Sequence, residues 1–220
     1  MEELLSGLPQ DSAVLNIIVV LLLLTLIPTL LMAMTSFTRV LIILSFTRSA
    51  LGTQQTPPNQ VLIGIALALT FFIMAPVLSQ IKAEAYDPYM KEELSVLEAM
   101  ERAKGPLREF MFSQAQTEPK SLNLFLGMAG FTKAPSTLEE IPLSVLIPSF
   151  VTGELTKAFK IGFMLFLPFI MIDMIVSSIL MSMGMMMLPP AMVSLPFKIL
   201  LFVMVDGWEL VMKTIVMSFG

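Results

Sequence analysis

The chain has 220 residues, with 13 Lys and Arg against 17 Asp and Glu, a formal net charge of −4, and only 14% charged residues beside 56% hydrophobic ones. It has no cysteine and no histidine, which removes disulfides, thiol catalysis, Ser-His-Asp triads and the usual zinc sites. A charged fraction well below the roughly 25% of soluble domains, with no basic cluster, argues against nucleic acid as a partner and for an all-α membrane protein.

The acidic start MEELLSGLPQD does not read as a secretory signal, which opens with a basic segment. Asp11 or Ser12 is placed to cap a first helix. Its apolar residues run past Pro28, a kink site, to about Met34, and residues 12 to 38 carry no charge. A connector is expected at 35–60. It holds a short echo, SFTR at 36–39 and again at 45–48, and ends in the helix-breaking pair Pro57-Pro58. Its only cations are Arg39 and Arg48, so the positive-inside rule places it on the cytoplasmic side, with both arginines able to meet anionic lipid headgroups.

A second uncharged run, Val61 to Ile81, is long enough to cross hydrocarbon. The polar region 82–160 is then extracytoplasmic and mostly helical. Leu94, Leu97, Met100 and Leu107 share one face of a helix over 88–116, which Gly105-Pro106 interrupts. A third run extends from Ile161 to Leu180 with Pro168 as a kink site, and a fourth from Pro196 to about Phe219. The expected organisation is an N-terminal hydrophobic hairpin (1–81), the polar region (82–160) and a C-terminal hydrophobic hairpin (161–220). The last contains a Met-rich loop at 181–190. The total is about four long hydrophobic helices, kinked by prolines.

Charges inside those runs need partners or water, because a charge at bilayer depth costs about 2.5–3.5 kcal/mol on insertion scales. Asp173 falls within the third run. On one continuous helix Lys198, Asp206, Glu209 and Lys213 would form a single stripe, with Glu209 placed to pair with Lys213. A stripe of both signs suits inter-subunit ion pairing better than a proton or substrate path. Asp173 alone fits helix–helix hydrogen bonding and a functional carboxylate equally well. Asp173 and Asp206 are the residues that a proton-coupled transporter, the alternative function, would use. No nucleotide-binding loop is present, and neither aspartate lies in a GxGD setting, so an enzyme is not expected.

The stretch MSMGMMMLPPAMVSLPFK, 181–198, stands where a polar turn is usual, yet its one charge is Lys198. Its methionines can fill space in a core, and thioethers can also bind Cu(I). Without cysteine or histidine to hold the metal, copper is a weak reading, and no cofactor is expected.

Three long segments resemble the FliP family, the P subunit of the flagellar export gate, in order and spacing. They are TSFTRVLIILSFTRSALGTQQTPPNQVLIGIALALTFFIMAPV, FVTGELTKAFKIGFMLFLPFIMIDMIVSSILMSMGMMMLPP and LPFKILLFVMVDGWELV. The resemblance implies a non-enzymatic subunit of a type III protein export gate in the bacterial inner membrane, at the flagellar basal body. Several copies, about five, would assemble with Q and R subunits into a helical, closed-ended channel. The B-type switch subunit and unfolded flagellar export substrates are further implied partners. The assembled helices would be raised towards the periplasm. The resemblance also gives Met185, Met186 and Met187, with Met183 and Gly184, the role of a deformable pore seal. Phe110 and Phe125 are candidates for a lumen-facing constriction with Glu154 as a polar lining residue; the plainer alternative is that they pack the polar region's own core.

Overall fold

The computed structural model describes residues 21, 25, 29, 32–53, 55–131, 137–185 and 187–220. Most of the first expected helix, including Asp11, Ser12 and Pro28, lies outside the described residues. The rest is helical, and no strand occurs among the described residues.

The expected 35–60 connector is mostly a helix, α1 (Phe37–Leu51). Its buried residues Val40, Ile43, Leu44, Thr47 and Leu51 recur at helical spacing and form one face. The segment reads as a connector because of its two arginines, but nine residues at 100° each place Arg39 and Arg48 on opposite faces, so a single buried stripe survives. The true connector is short. It starts at Gly52, which ends α1 in the left-handed conformation with φ 70° and donates its N–H to the Ser49 carbonyl.

Helix α2 (Asn59–Ile81) continues through a π-helical turn (Lys82–Tyr86) into α3 (Asp87–Met90). Helix α4 (Val96–Gln116) starts at a capping box, in which Ser95 and Glu98 satisfy each other's backbone N–H groups. Gly105-Pro106 does not interrupt it. The face that packs is also not the expected one: Pro106, Met111, Gln114 and Ala115 are buried, whereas Leu97 and Met100 are exposed. After α5 (Pro119–Met128) the chain enters α6 (Leu143–Ser182), a single helix of 40 residues. The expected boundary at 160 therefore falls inside a helix. At 1.5 Å per residue α6 is about 60 Å long, twice the roughly 30 Å of a hydrocarbon core. Its N-terminal part, carrying Glu154, Lys157 and Lys160, has the length to stand clear of lipid.

The expected fourth span is two pieces, α7 (Pro190–Met204) and α8 (Gly207–Met217). They are separated at Asp206, which adopts φ 49°. Two helices among the described residues, Asn59–Met90 and Leu143–Ser182, are long and apolar enough to cross a membrane, and α7 is a shorter apolar helix.

The described residues form two cores. One surrounds α1 and joins Val40, Ile43 and Leu44 to Leu62, Ala66, Ala158, Phe169, Phe202 and Ile215. The other joins Met111 of α4, Leu122 and Leu126 of α5, and Leu146 and Phe150 of α6. Helix α6 runs through both and fixes one against the other. Gly162 allows a close approach to α1, because a Cβ there would lie 2.6 Å from Cγ of Phe46. Three hydroxyls buried in these helices donate to the carbonyl four residues back, Thr47 to Ile43, Thr70 to Ala66 and Ser149 to Val145. Each is thereby satisfied without a partner from another helix.

Candidate functional site: the methionine turn and the enclosed charges

The Met-rich segment begins where α6 stops. Gly184 has φ 75°, a conformation that L side chains rarely adopt. Its N–H donates to the Met181 carbonyl at 3.0 Å, and the Met185 N–H donates to the Leu180 carbonyl at 3.0 Å. This pair of bonds is the Schellman closure, which satisfies two of the helix's last carbonyls and fixes the chain's exit. The sequence places glycine at the one position where this closure needs it. Pro189 and Pro190 then start α7, with Pro190 inside its first turn, where a missing N–H costs nothing. The turn is thus bonded at one end and stiffened at the other. It presents Met183, Met185 and Met187 with 67%, 41% and 98% of their surfaces uncovered. Met186 lies outside the described residues.

Below the turn, α6 and α7 are joined by charge. Asp173 accepts from Lys198 Nζ at 2.6 Å through Oδ2 and from Ser194 Oγ at 2.6 Å through Oδ1. Lys198 is nearly enclosed and Asp173 partly open. Asp173 faces an open cavity of about 630 Å³, lined also by Met174, Ser177, Ser178, Met181, Pro190 and Ala191. Within the chain, Asp173 therefore serves as a helix–helix bond.

The expected stripe on one helix is not formed. The break at Asp206 takes Lys198 out of register with Glu209 and Lys213, and no ion pair joins those two among the described residues. Lys198 pairs across to α6 instead. The break has a local cause. Gly207 sits against Phe202, where a Cβ would lie 2.3 Å from the ring, and Phe202 meets Trp208 edge-on at 5.4 Å. Aspartate at 206 tolerates the left-handed conformation better than most residues. Asp206, Glu209 and Lys213 are exposed.

Two of the three remaining charges expected at surfaces are enclosed together. Arg39 and Glu154 are 0% and 1% exposed. Arg39 Nε donates to Glu154 Oε2 at 2.7 Å, and Nη2 donates to Oε1, a bidentate pair. The same guanidinium donates to Gln114 Oε1 at 2.8 Å and to the Ser218 carbonyl at 2.5 Å, and it lies 3.7 Å from the Phe219 ring centroid. Lys157 Nζ donates to the Gln114 carbonyl at 2.6 Å and stands 3.7 Å from Glu154. Helices α1, α4, α6 and the segment after α8 thus meet at one saturated polar cluster. This corrects two expectations. Arg39 is not at a lipid-facing surface, and Glu154 does not line an open space of this chain, because each is the other's buried counter-charge. Arg48, half-buried, holds the connector by donating to Asn59 Oδ1 at 2.6 Å and to the Pro57 carbonyl at 3.2 Å.

Phe110 lies 5.8 Å from Phe150 and 6.4 Å from Phe219, and Phe125 packs against the same second core. Within one chain both rings pack that core. Sequence reasoning missed Gln114, Lys157, Ser218 and Gly162. Nothing local marks the first three, because the partner each one meets comes from a distant segment, and Gly162 is an ordinary glycine until Phe46 is placed over it.

The helices, their large uncovered apolar faces and the charges tied within them define an all-helical, membrane-associated protein. The sequence matches the FliP family over residues 20–215. It is 52% identical over 208 residues to the flagellar biosynthetic protein FliP of Bacillus subtilis, covering 94% of this chain and 93% of that protein. Identity is 50% over 202 residues to FliP of Pectobacterium carotovorum, with 92% and 77% covered, and 45% over 205 residues to FliP of Aquifex aeolicus, with 93% and 85% covered. The chain belongs to the FliP family, a family of flagellar biosynthesis, and is not an enzyme.

Proposed function

We propose that the chain is a subunit of the protein-conducting export gate of a flagellar type III secretion system in the bacterial inner membrane. Several copies build the channel together with Q and R subunits and the B-type switch subunit, and unfolded flagellar proteins pass through it. Met183, Gly184, Met185, Met186 and Met187 form its seal. The observation that carries this reading is the turn after α6. A glycine-pinned closure holds Met183, Met185 and Met187 uncovered, in a stretch without charge from Met174 to Phe197. Unbranched thioether chains repack around changing shapes while remaining apolar, and apolar constrictions block ions by staying dry. Repeated from several subunits, the turn makes a compliant ring.

The apolar surface left uncovered along α2 and α6 is consistent with lipid and neighbouring copies as the missing cover. The proton-coupled transporter reading gains no support, because Asp173 is already bonded to Lys198 and Ser194. The test is M185A/M186A/M187A in the whole complex, with complex yield and ion conductance measured on the same preparation. A seal gives normal yield and a leak. A role in core packing gives loss of yield first, because truncating buried large side chains costs about 2–5 kcal/mol each. A tightly closed channel at full yield overturns the seal.

A further inference from the structure

We propose that the methionine turn is an oxidation site, at which hydroperoxide chemistry converts the seal from apolar to polar and makes the gate leak. The inference rests on the seal reading above. Its basis is the contrast between methionines within one chain. Met187 is 98% uncovered, more than any other described methionine, and Met183 is 67% uncovered, close to the 68–74% of Met164, Met192, Met204 and Met217, whereas Met74 and Met111 are 2% and 0% uncovered. All share one intrinsic thioether reactivity, so access decides which react first.

The reaction is balanced by the oxidant alone. The sulfur lone pair attacks one oxygen of hydrogen peroxide, an S–O bond forms and the O–O bond breaks; the expelled hydroxide takes the proton from the transferred oxygen and leaves as water. Sulfur is oxidised to the sulfoxide and the peroxide is reduced, with no further reactant. The product is a strongly polar, chiral group in place of a flexible apolar one.

Three features make the turn sensitive to that change. First, no ionisable residue occurs from Met174 to Phe197, so the new dipole meets no charge on its own segment. Second, the nearby hydroxyls of Ser182 and Ser194 already donate, to the Ile179 carbonyl and to Asp173. A sulfoxide oxygen is therefore satisfied most readily by water. Third, the turn cannot easily move away, because Gly184 and Met185 are bonded to the last turn of α6. Water recruited by several sulfoxides around one ring ends the dewetting on which an apolar barrier depends. The change is reversible, since sulfoxide reductases restore both epimers.

The experiment uses the purified whole complex in lipid vesicles, treated with hydrogen peroxide. Peptide mass spectrometry reads each methionine and ion flux reads the leak. Met183 and Met187 are expected to oxidise well before Met74 and Met111. The leak is expected to rise several-fold in step with them and to fall after treatment with both classes of sulfoxide reductase. An M183L/M185L/M186L/M187L variant, compared with its own untreated baseline, is expected to show no peroxide-dependent rise. Three results overturn the proposal: sulfoxide at Met183 and Met187 with unchanged flux, no preference for these residues over Met74 and Met111, or an equal rise in the leucine variant. The alanine variant measured in parallel separates the two ideas. If alanine leaks and oxidation does not, the seal stands and the oxidation site falls; if alanine does not leak, the seal itself falls.

Discussion

Arg39 and Glu154 are 115 positions apart in the chain and form a bidentate ion pair that no solvent reaches. Enclosing two charges is costly, and their attraction offsets that cost only when the geometry is good and the leftover donors are used. Both conditions are met. Gln114, the Ser218 carbonyl and the Phe219 ring take the remaining guanidinium surface. The pair therefore fixes which helices meet.

Removing one partner leaves the other charge stranded. E154Q and R39M are each expected to lower stability by about 3–5 kcal/mol, read as lost yield or a lowered unfolding temperature in detergent. An R39M/E154M double variant is expected to be more stable than either single variant, because no unpaired charge remains. A double variant worse than both would show that the pair is more than a mutual neutralisation.

The Asp173–Lys198 bond joins α6 to α7 just below the methionine turn. D173N is expected to weaken it by about 1.5–3 kcal/mol, the range for hydrogen bonds to charged groups. Limited proteolysis between α6 and α7 should then accelerate. K198M, which removes the enclosed charge, is expected to be milder. If the two variants behave alike, the stranded-lysine argument fails.

Gly162 lies beneath Phe46 with no room for a Cβ. G162V is expected to push α1 from α6 and cost about 1–3 kcal/mol, as overpacking does. Adding F46A should recover part of the loss. An unchanged unfolding temperature for G162V alone would mean that the ring moves aside freely.

At Gly184 the backbone, not the space, is limiting, because no atom lies within 4 Å of a built Cβ. Asparagine tolerates the left-handed conformation, alanine pays roughly 1–2 kcal/mol, and a β-branched residue does worse. Stability and channel closure should fall in the order Gly, Asn, Ala, Val. The Met185 amide, bonded to the Leu180 carbonyl, should lose hydrogen-exchange protection in the same order. An alanine variant with unchanged protection would remove the pinned turn from the account.

Sequence alone determined the solvent, the secondary structure class and the family. Apolar runs of membrane length, the missing histidine and cysteine, and three ordered motifs are local properties, legible without coordinates. A glycine just past the end of a helix acts through its own backbone, so the closure at Gly184 needs no distant partner. What only the tertiary structure decided was where each charge goes. Arg39 and Arg48 look alike in their SFTR settings, yet one is enclosed and the other holds a connector. Lys198 reads as part of a stripe with Glu209, yet it pairs with Asp173 because the chain breaks at Asp206. An ion pair forms between whichever opposite charges packing brings within 4 Å. For residues 115 positions apart that distance is set by how α6 crosses α1, and the crossing depends on a missing side chain at Gly162 and a ring at Phe46.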